Sequence, residues 1–192
     1  LVYQDERGLL DLPLPNLRGP HQVMNAGAAI AALRYLGKDD ATCEAAVTQA
    51  YWPARMEKLT AGPLVDLAAS AELWLDGGHN PAAGRVLADT LLGLPKRTTH
   101  LICGMLNTKD ISGYLAPLAA VSTTLTAVSI PGEANTIPAE KTAQHAKDVG
   151  MTADVALSVQ EAISAITAKD PHARILICGS LYLAGGVLRE NG

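Results

Sequence analysis

The chain has 192 residues, of which 48% are hydrophobic and 18% are charged, and its net charge at neutral pH is −4. This length accommodates one domain and part of a second, and the apolar fraction suffices for a sizeable core, which excludes a disordered chain. The acidic balance argues against a nucleic-acid partner, whose phosphates require a basic surface. With no Phe and only two Trp, the chain also lacks the aromatic platforms on which single-stranded nucleic acid stacks.

Targeting signals and the spacing of cysteines indicate where a protein is located and whether its thiols are reduced. No apolar run approaches the ~20 residues that cross a bilayer, and the first residues lack the basic, apolar and small-residue order of a signal peptide. These observations predict a cytoplasmic protein without a membrane partner. Cys43, Cys103 and Cys178 lie far apart without a CxxC pair, so we expect reduced thiols and neither a disulfide framework nor a metal site.

The first part of the chain predicts a short strand followed by helices. Residues 1–4 predict a strand that begins without an initiator Met, as expected for the middle of a longer protein, and breakers accompany the apolar run at 9–14. Apolar positions recur at helical spacing over 25–36, and 41–50 predicts a second helix. The sequence Tyr-Trp-Pro at 51–53 then interrupts the pattern, so we place a domain boundary there.

Beyond this boundary, short apolar stretches alternate with helix-length segments. That order is typical of a doubly wound α/β domain, in which a mostly parallel sheet carries helices on both faces. Asn80 before Pro81, and Ser158 three residues before Glu161, fit helix N-termini. The predicted strands are 56–59, 73–75, 100–103, 125–129, 153–156 and 174–178, and the predicted helices are 81–92, 111–120, 138–149 and 159–168.

Ligands of such sheets bind beyond the carboxyl ends of the strands, and polar residues cluster there in this sequence. The strand at 73–75 runs into Asp76, two glycines, His79 and a helix N-terminus. The glycines permit close backbone approach and the helix start presents unpaired N–H groups, which favours phosphate or ribose binding. The alternative is an ordinary turn in which Asp76 and Asn80 only cap.

Two further strand ends repeat the arrangement of a strand followed by glycine. Gly104 precedes Lys109 and Asp110, and Gly179 precedes Ser180. Together the three loops predict one binding site, although Lys109 and Asp110 also fit a solvated pair and Ser180 also fits a helix cap. The chain contains neither GxxxxGK[ST] nor GxGxxG, so it lacks the common phosphate cradles, and no GxSxG indicates a hydrolase.

Blocks of sequence along almost the whole chain occur in a characteristic order. They are LPLPN at 12–16, GPHQVMNA at 19–26, RME at 55–57, DGGHNP at 76–81, Gly104 with Lys109 and Asp110, and GSLY at 179–182. The combination resembles the C-terminal half of folylpolyglutamate synthase/dihydrofolate synthase, in the Mur ligase superfamily. Ala54 departs from that family, which usually has Gly before Arg55. We expect Ala54 to stiffen this turn, because alanine gives up the positive-φ region.

The resemblance implies an ATP-dependent amide ligase. In that family ATP phosphorylates the carboxylate of dihydropteroate or a folate, and the amine of L-glutamate attacks the acyl phosphate. An ATPase domain supplies the P-loop and the Mg²⁺ ligands, and a Rossmann-like domain follows it. By this resemblance, residues 1–52 are the end of the ATP-binding domain and residues 53–192 are the Rossmann-like ligase domain. The chain alone is expected to be inactive, because the N-terminal ATPase domain is missing.

The resemblance also assigns nucleotide-binding roles to individual residues. Asn25 matches the asparagine that recognises adenine, and Arg55 matches the linker arginine that reaches the ATP phosphates, where a planar guanidinium suits phosphate oxygens. Asp76 matches the carboxylate that contacts the ribose. His79 matches the histidine that faces the phosphates and the forming acyl phosphate. The expected catalytic residues are therefore His79 and Arg55.

Binding of the second substrate is implied for the other two loops. Lys109 and Ser180 match positions that in related ligases hold the carboxylates of the incoming amino acid, here L-glutamate. Two alternatives stay open: a sister enzyme such as a Mur ligase or cyanophycin synthetase, and a nucleotide-binding or regulatory α/β module without chemistry. The block after Asp76 fits the folate branch better than the Mur pattern, which has Tyr or Ala after the aspartate.

Overall fold

The computed structural model describes residues 1–192 and divides into two compact units, Leu1–Pro53 and Ala54–Gly192. Each unit is built around buried apolar side chains of its own. None of the helices combines the length and the apolar character that crossing a bilayer requires.

The first unit combines a β-hairpin with two helices. Strands β1 (Val2–Asp5) and β2 (Gly8–Asp11) pair antiparallel, and helices α1 (Pro20–Tyr35) and α2 (Asp40–Thr48) follow. The hairpin region and both helices contribute buried apolar side chains to one core. These are Leu10, Leu12, Ala26, Ile30, Cys43 and Val47.

Both predicted helices of this unit exist, and each begins before its predicted start. Helix α1 begins at Pro20, in the first turn, where a residue without an N–H is tolerated because that N–H has no partner within the helix. Helix α2 begins after Asp39, whose carboxylate accepts a hydrogen bond from the Thr42 N–H at 2.9 Å. The strand predicted at 1–4 is confirmed, and the apolar run that follows supplies its antiparallel partner.

The second unit is an α/β domain with six strands. The strands are β3 (Glu57–Leu59), β4 (Glu72–Leu75), β5 (Thr99–Cys103), β6 (Thr124–Ala127), β7 (Thr152–Val155) and β8 (Arg174–Cys178). The helices are α3 (Pro63–Ala68), α4 (Pro81–Gly93), α5 (Ile111–Ala119), α6 (Ala139–Asp148), α7 (Val159–Lys169) and α8 (Leu181–Asn191). The sheet order is β3-β4-β8-β5-β6-β7, and every neighbouring pair is parallel except β3 with β4. The predicted fold class is therefore confirmed.

Helices cover both faces of the sheet, because successive strand residues belong to opposite apolar clusters. Leu101 and Cys103 of β5 belong to the cluster that contains residues of α4, α5 and α6. Ile102, between them, belongs to the cluster that contains residues of α3, α7 and α8. The period-two alternation of a strand thus fills two cores at once. All three cysteines are buried and free.

The predicted helices of this unit omit two elements. Helix α3 has six residues, which is too short for a helical period to be recognised in the sequence. Helix α8 contains Gly185 and Gly186, and glycine is among the poorest helix formers, so its range is not recognisable either. The other predicted helices and all six predicted strands are confirmed.

The sheet order determines which loops lie together. Because β4, β8 and β5 are parallel neighbours, the loops after them emerge at the same edge of the sheet. Strand β3 is antiparallel to β4, so the chain enters β3 at that edge, two residues after Arg55. We call this the carboxyl edge.

Candidate functional site

Asp76 is the buried carboxylate at the end of β4, and it is bound to backbone on two sides. It is 7% exposed. Its Oδ2 accepts a hydrogen bond from the Met56 N–H at 2.9 Å, and its Oδ1 accepts one from the Gly78 N–H at 2.7 Å. Asp76 therefore joins the segment that carries Arg55 to the loop that carries His79.

The segment around Arg55 has an unusual backbone conformation. Ala54 and Met56 both have positive φ, of 55° and 44°, in a region that non-glycine residues seldom adopt. The expectation that Ala54 gives up the positive-φ region is therefore wrong. Further hydrogen bonds hold the segment: the Gly77 N–H donates to the Ala54 carbonyl at 2.9 Å, and the Ala54 N–H donates to Glu57 Oε2 at 2.8 Å.

Arg55 is an exposed residue between two buried ones. Ala54 is 5% exposed and Met56 is 2% exposed, whereas Arg55 is open to solvent and takes part in none of the salt bridges of the chain. The buried neighbours fix the backbone while the guanidinium is directed outward. The arrangement presents a cation at the carboxyl edge.

The ring of His79 is oriented by its own loop. Its Nδ1 lies 2.9 Å from the Gly77 carbonyl oxygen. A carbonyl only accepts hydrogen bonds, so Nδ1 carries the proton and Nε2 is the nitrogen left for other partners. Gly78 is required next to this contact, because a Cβ there would lie 2.8 Å from Asp76 Oδ1 and 2.9 Å from the Ala83 Cβ.

Asn80 performs the capping role that the sequence offered as an alternative for this loop. Its Oδ1 accepts a hydrogen bond from the Ala83 N–H at 2.9 Å, and Pro81 opens helix α4. The Asp76 carboxylate accepts hydrogen bonds from the Met56 and Gly78 amides. The loop after β4 therefore contains both a helix cap and a separate carboxylate that connects two loops.

Ser180 lies at the end of β8 and caps helix α8. Its hydroxyl oxygen accepts a hydrogen bond from the Tyr182 N–H at 3.1 Å, and the residue is 3% exposed. Gly179 before it has a φ of 106°, and a Cβ there would lie 2.8 Å from both Cys103 Sγ and the Gly104 carbonyl oxygen. This glycine lets the loops after β8 and β5 approach each other closely.

Lys109 and Asp110 do not form a pair. The Asp110 carboxylate caps helix α5 by accepting a hydrogen bond from the Gly113 N–H at 2.9 Å. Lys109 is half-buried and takes part in none of the salt bridges. The carboxyl edge thus carries a second cation without a carboxylate partner.

Asn25, the predicted adenine-binding residue, lies in the first unit on helix α1. Its side chain is exposed, and its Nδ2 donates a hydrogen bond to Gln22 Oε1 at 3.0 Å. The other predicted site residues, namely Arg55, Asp76, His79, Lys109 and Ser180, belong to loops of the second unit at the carboxyl edge.

Beneath this edge lies a buried group that the sequence reasoning did not single out as a cluster. Cys103 and Cys178 are opposite each other on β5 and β8, and Tyr114 belongs to the same apolar cluster. A hydrogen bond with Cys178 and burial together raise the pKa of Cys103 well above its usual range, and burial is the main cause of the raised pKa of Tyr114. These three side chains are therefore part of the apolar core beneath the loops after β5 and β8.

No group of three or more His, Cys, Asp or Glu side chains has an arrangement that could hold a metal ion. The chemistry available at the carboxyl edge is therefore that of two cations, an oriented imidazole, a buried carboxylate and a hydroxyl. Cations and backbone N–H groups together suit an anionic ligand such as a phosphate or a carboxylate.

Comparisons with known proteins agree with this geometry. The family described as "Dihydrofolate synthetase, C-terminal domain" matches residues 65–190. The folylpolyglutamate synthase of Lacticaseibacillus casei is 31% identical over 193 residues, which cover 97% of this chain and 42% of that protein. This chain therefore spans less than half the length of that relative.

Solved structures of folylpolyglutamate synthases are also similar to this chain. The Mycobacterium tuberculosis folylpolyglutamate synthase complexed with ADP superimposes with a TM-score of 0.82 at 27% identity, over 96% of this chain and 43% of that one. The bifunctional folylpolyglutamate synthase/dihydrofolate synthase with Mn, AMPPNP and L-glutamate bound, whose related structures come from Yersinia pestis, gives a TM-score of 0.77 at 26% identity, over 97% of this chain and 43% of that one. The chain belongs to the dihydrofolate synthetase C-terminal domain family.

Proposed function

We propose that this chain is the C-terminal part of an ATP-dependent ligase that joins L-glutamate to dihydropteroate or a folate through an acyl phosphate. The observation that carries the proposal is the single edge of the sheet at which Arg55 and His79 are held together through Asp76. The relatives bear the names of folate-glutamate ligases. The family match also favours this branch over the Mur and cyanophycin sister ligases and over a module without chemistry.

Arg55 and His79 are the residues proposed for the phosphoryl-transfer step. The exposed guanidinium of Arg55 would bind ATP phosphate oxygens in a planar, two-pronged arrangement and offset their charge. His79 would direct Nε2 at the transferring group, because Nδ1 is already bound to the Gly77 carbonyl. When Nε2 is protonated it is a donor whose direction is fixed before the reaction begins, which is the property that stabilises developing charge.

Asp76 is proposed to contact the ribose. A carboxylate oxygen can accept more than one hydrogen bond, so a hydrogen bond from a ribose hydroxyl is compatible with the bonds from the Met56 and Gly78 N–H groups. Asn25 is proposed to recognise adenine, since its amide offers both a donor and an acceptor. Its present partner, Gln22, is a neighbour one turn away on the same helix.

L-Glutamate is proposed to bind at the loops after β5 and β8. Lys109 supplies an ammonium that no carboxylate of the chain neutralises, and Ser180 supplies a hydroxyl whose proton is still free to be donated while its oxygen caps α8. Those two groups suit the carboxylates of an amino acid.

ATP and Mg²⁺ would be held mainly by the part of the relatives that this chain does not span. No metal-holding cluster is present among its side chains, and no common phosphate-cradle motif occurs in its sequence. The proposed partners of this chain are therefore ATP, L-glutamate, a pterin substrate and an N-terminal ATPase domain. Mg²⁺ would supply charge neutralisation on the phosphates.

A chimera tests the proposal. In it, this chain replaces the aligned C-terminal part of the Lacticaseibacillus casei relative, which 97% coverage of the chain defines clearly. We expect ATP-dependent incorporation of labelled glutamate with dihydropteroate or tetrahydrofolate, and loss of most of it in the His79→Ala chimera. A chimera that folds and binds ATP but forms no amide with either pterin would overturn the proposal.

A further inference from the structure

We infer that Asp76 is a positioning residue for Arg55: its carboxylate fixes the backbone of the segment Ala54–Met56 so that the guanidinium is presented at the carboxyl edge. This inference rests on the proposed function and goes beyond the ribose contact assigned to Asp76 there. The direct observation is the 2.9 Å hydrogen bond from the Met56 N–H to Asp76 Oδ2, between residues twenty positions apart in the chain.

The segment cannot be held by local interactions alone. Positive φ at both Ala54 and Met56 places two non-glycine residues, one on each side of Arg55, in a conformation that each disfavours. Such a conformation persists only where the surroundings impose it. One local bond, from the Ala54 N–H to Glu57 Oε2, contributes, and the long-range bonds come from the Asp76 carboxylate and from the Gly77 N–H, which immediately follows Asp76.

Burial makes the Asp76 contact necessary for the conformation. Met56 is 2% exposed and Asp76 is 7% exposed, so the Met56 N–H cannot exchange its carboxylate partner for water without a rearrangement of the segment. A rearrangement that gives Met56 a new partner also turns Arg55, because the two residues share a peptide unit. The direction of the guanidinium therefore depends on Asp76.

The same carboxylate couples Arg55 to His79. Its other oxygen binds the Gly78 N–H at 2.7 Å, one residue before the imidazole, whose Nδ1 is bound to the Gly77 carbonyl. One buried side chain thus sets the positions of both residues proposed for phosphoryl transfer. This is the arrangement expected where two groups on different loops must act on the same phosphate.

The first test measures the contact without any reaction. In the chain itself, amide hydrogen exchange followed by NMR should show the Met56 and Gly78 amides protected. Asp76→Asn leaves one acceptor oxygen for the two amides, so we expect at least one of them to exchange roughly tenfold faster or more. Ser158→Ala is the matched control, since it removes a cap from α7 by breaking the 3.1 Å bond to the Glu161 N–H and should leave both amides unchanged. If both amides in Asp76→Asn exchange as slowly as they do in the original chain, the inference is overturned.

The second test uses the chimera and a mutant cycle. If Asp76 acts through Arg55, Asp76→Asn should lower kcat by roughly 10²-fold in the otherwise unchanged chimera and by only about tenfold or less in the Arg55→Ala background, where its effect through the His79 loop remains. Much of its effect should also persist with 2′-deoxy-ATP and with 3′-deoxy-ATP, each of which lacks one of the ribose hydroxyls that Asp76 could contact. Multiplicative losses in the double variant, or an Asp76→Asn effect that disappears with a deoxy nucleotide, would overturn the positioning role.

The two tests separate this inference from the proposed function. A chimera without ligase activity contradicts the proposed function and leaves the exchange measurement on the chain as it is. An active chimera whose Asp76→Asn variant keeps its protected amides contradicts the positioning role alone.

Discussion

The imidazole of His79 is held by one hydrogen bond to its own loop, and the residue is only half-buried. Removing it should therefore affect catalysis much more than folding. In the chimera we expect His79→Ala to lower kcat by about 10² to 10³, the usual effect of losing one preorganised donor at a transition state. Steady-state kinetics and the melting temperature of the same samples measure the two effects.

His145→Ala provides the control for His79. It also removes a half-buried imidazole that makes one side-chain hydrogen bond, between His145 Nδ1 and Ser112 Oγ at 3.0 Å, but it lies on helix α6 and is not one of the residues proposed for the site. Its kcat should stay within about twofold of the starting value. A large loss of stability in His79→Ala with unchanged kcat would show that the histidine is structural.

Ala54 has a positive φ, which glycine adopts at a lower energetic cost than alanine. Replacing it with Gly removes the cost of a Cβ at a φ of 55°, which stabilises the fold by about 1 kcal/mol. Glycine also gives the unfolded chain greater freedom, which destabilises the fold by roughly 0.4 to 1 kcal/mol. We expect Ala54→Gly to leave the free energy of unfolding unchanged or to raise it by a few tenths of a kcal/mol, as measured by urea denaturation.

Ala165→Gly is the comparison that gives this result meaning. Ala165 is exposed in the interior of helix α7, where the same substitution costs about 1 kcal/mol. The two variants should therefore differ by roughly 1 kcal/mol in favour of Ala54→Gly. Equal destabilisation by both would mean that Ala54 does not need the left-handed conformation in solution.

At the scale of elements, the strands and most helices of the second unit could be predicted because their signals are local. Apolar runs mark β5 and β8, and Asn80 and Ser158 mark helix starts that the structure confirms through their caps. The order of the strands is different, because β8 lies between β4 and β5 although the chain reaches it last. Its place depends on packing across the whole unit, which no short window of sequence contains.

The candidate site divides in the same way. Asp76 and His79 could be located because a strand, two glycines and a helix start occur together in the sequence. The contact of Asp76 with the Met56 N–H could not be predicted from the sequence, because every residue except proline offers the same backbone donor. The positive φ of Ala54 and Met56 was also unpredictable, since alanine and methionine normally avoid it. Long-range backbone contacts are the part of the site that residue types do not reveal.

Glu72 connects elements at the opposite edge of the sheet, and it makes a pH prediction. It accepts hydrogen bonds from Lys58 Nζ at 2.8 Å and from Trp74 Nε1 at 3.2 Å, and its Oε2 lies 3.5 Å from Arg174 Nε. Burial by itself raises the pKa of Glu72, but the bonds from Lys58 and Trp74 outweigh it, and the net pKa is lowered from 4.5.

A lowered folded-state pKa means that the charged carboxylate stabilises the fold above pH 4.5 and that this contribution is lost as the pH falls through the folded-state value. We expect Glu72→Gln to reduce the free energy of unfolding by about 1 kcal/mol at pH 7. The difference from the original chain should shrink below pH 4.5 and vanish in stronger acid. Glu44→Gln, which removes an exposed carboxylate without an ion pair from the interior of helix α2, should show a much smaller difference throughout.

At the scale of the whole molecule, the distribution of binding groups limits what the chain can do by itself. Its carboxyl edge offers cations and an imidazole, but no metal-holding cluster and no glycine-rich phosphate cradle in the sequence. Phosphoryl transfer depends on positioning and on neutralising charge at the phosphates. The chain supplies some of the groups that would position the phosphates and few of those that would neutralise their charge.

We therefore expect the isolated chain to bind ATP weakly and to form no amide. The chain aligns with only 42% of its Lacticaseibacillus casei relative, and we expect the rest of such a ligase to supply much of the binding energy for the nucleotide. Calorimetric titration with ATP and Mg²⁺ should give a Kd of roughly 1 mM or weaker, equivalent to about 4 kcal/mol or less. Arg55→Ala should weaken even that binding, since Arg55 is the exposed cation proposed for the phosphates. Phosphate release above the blank from the purified chain with ATP, dihydropteroate and glutamate would contradict the prediction.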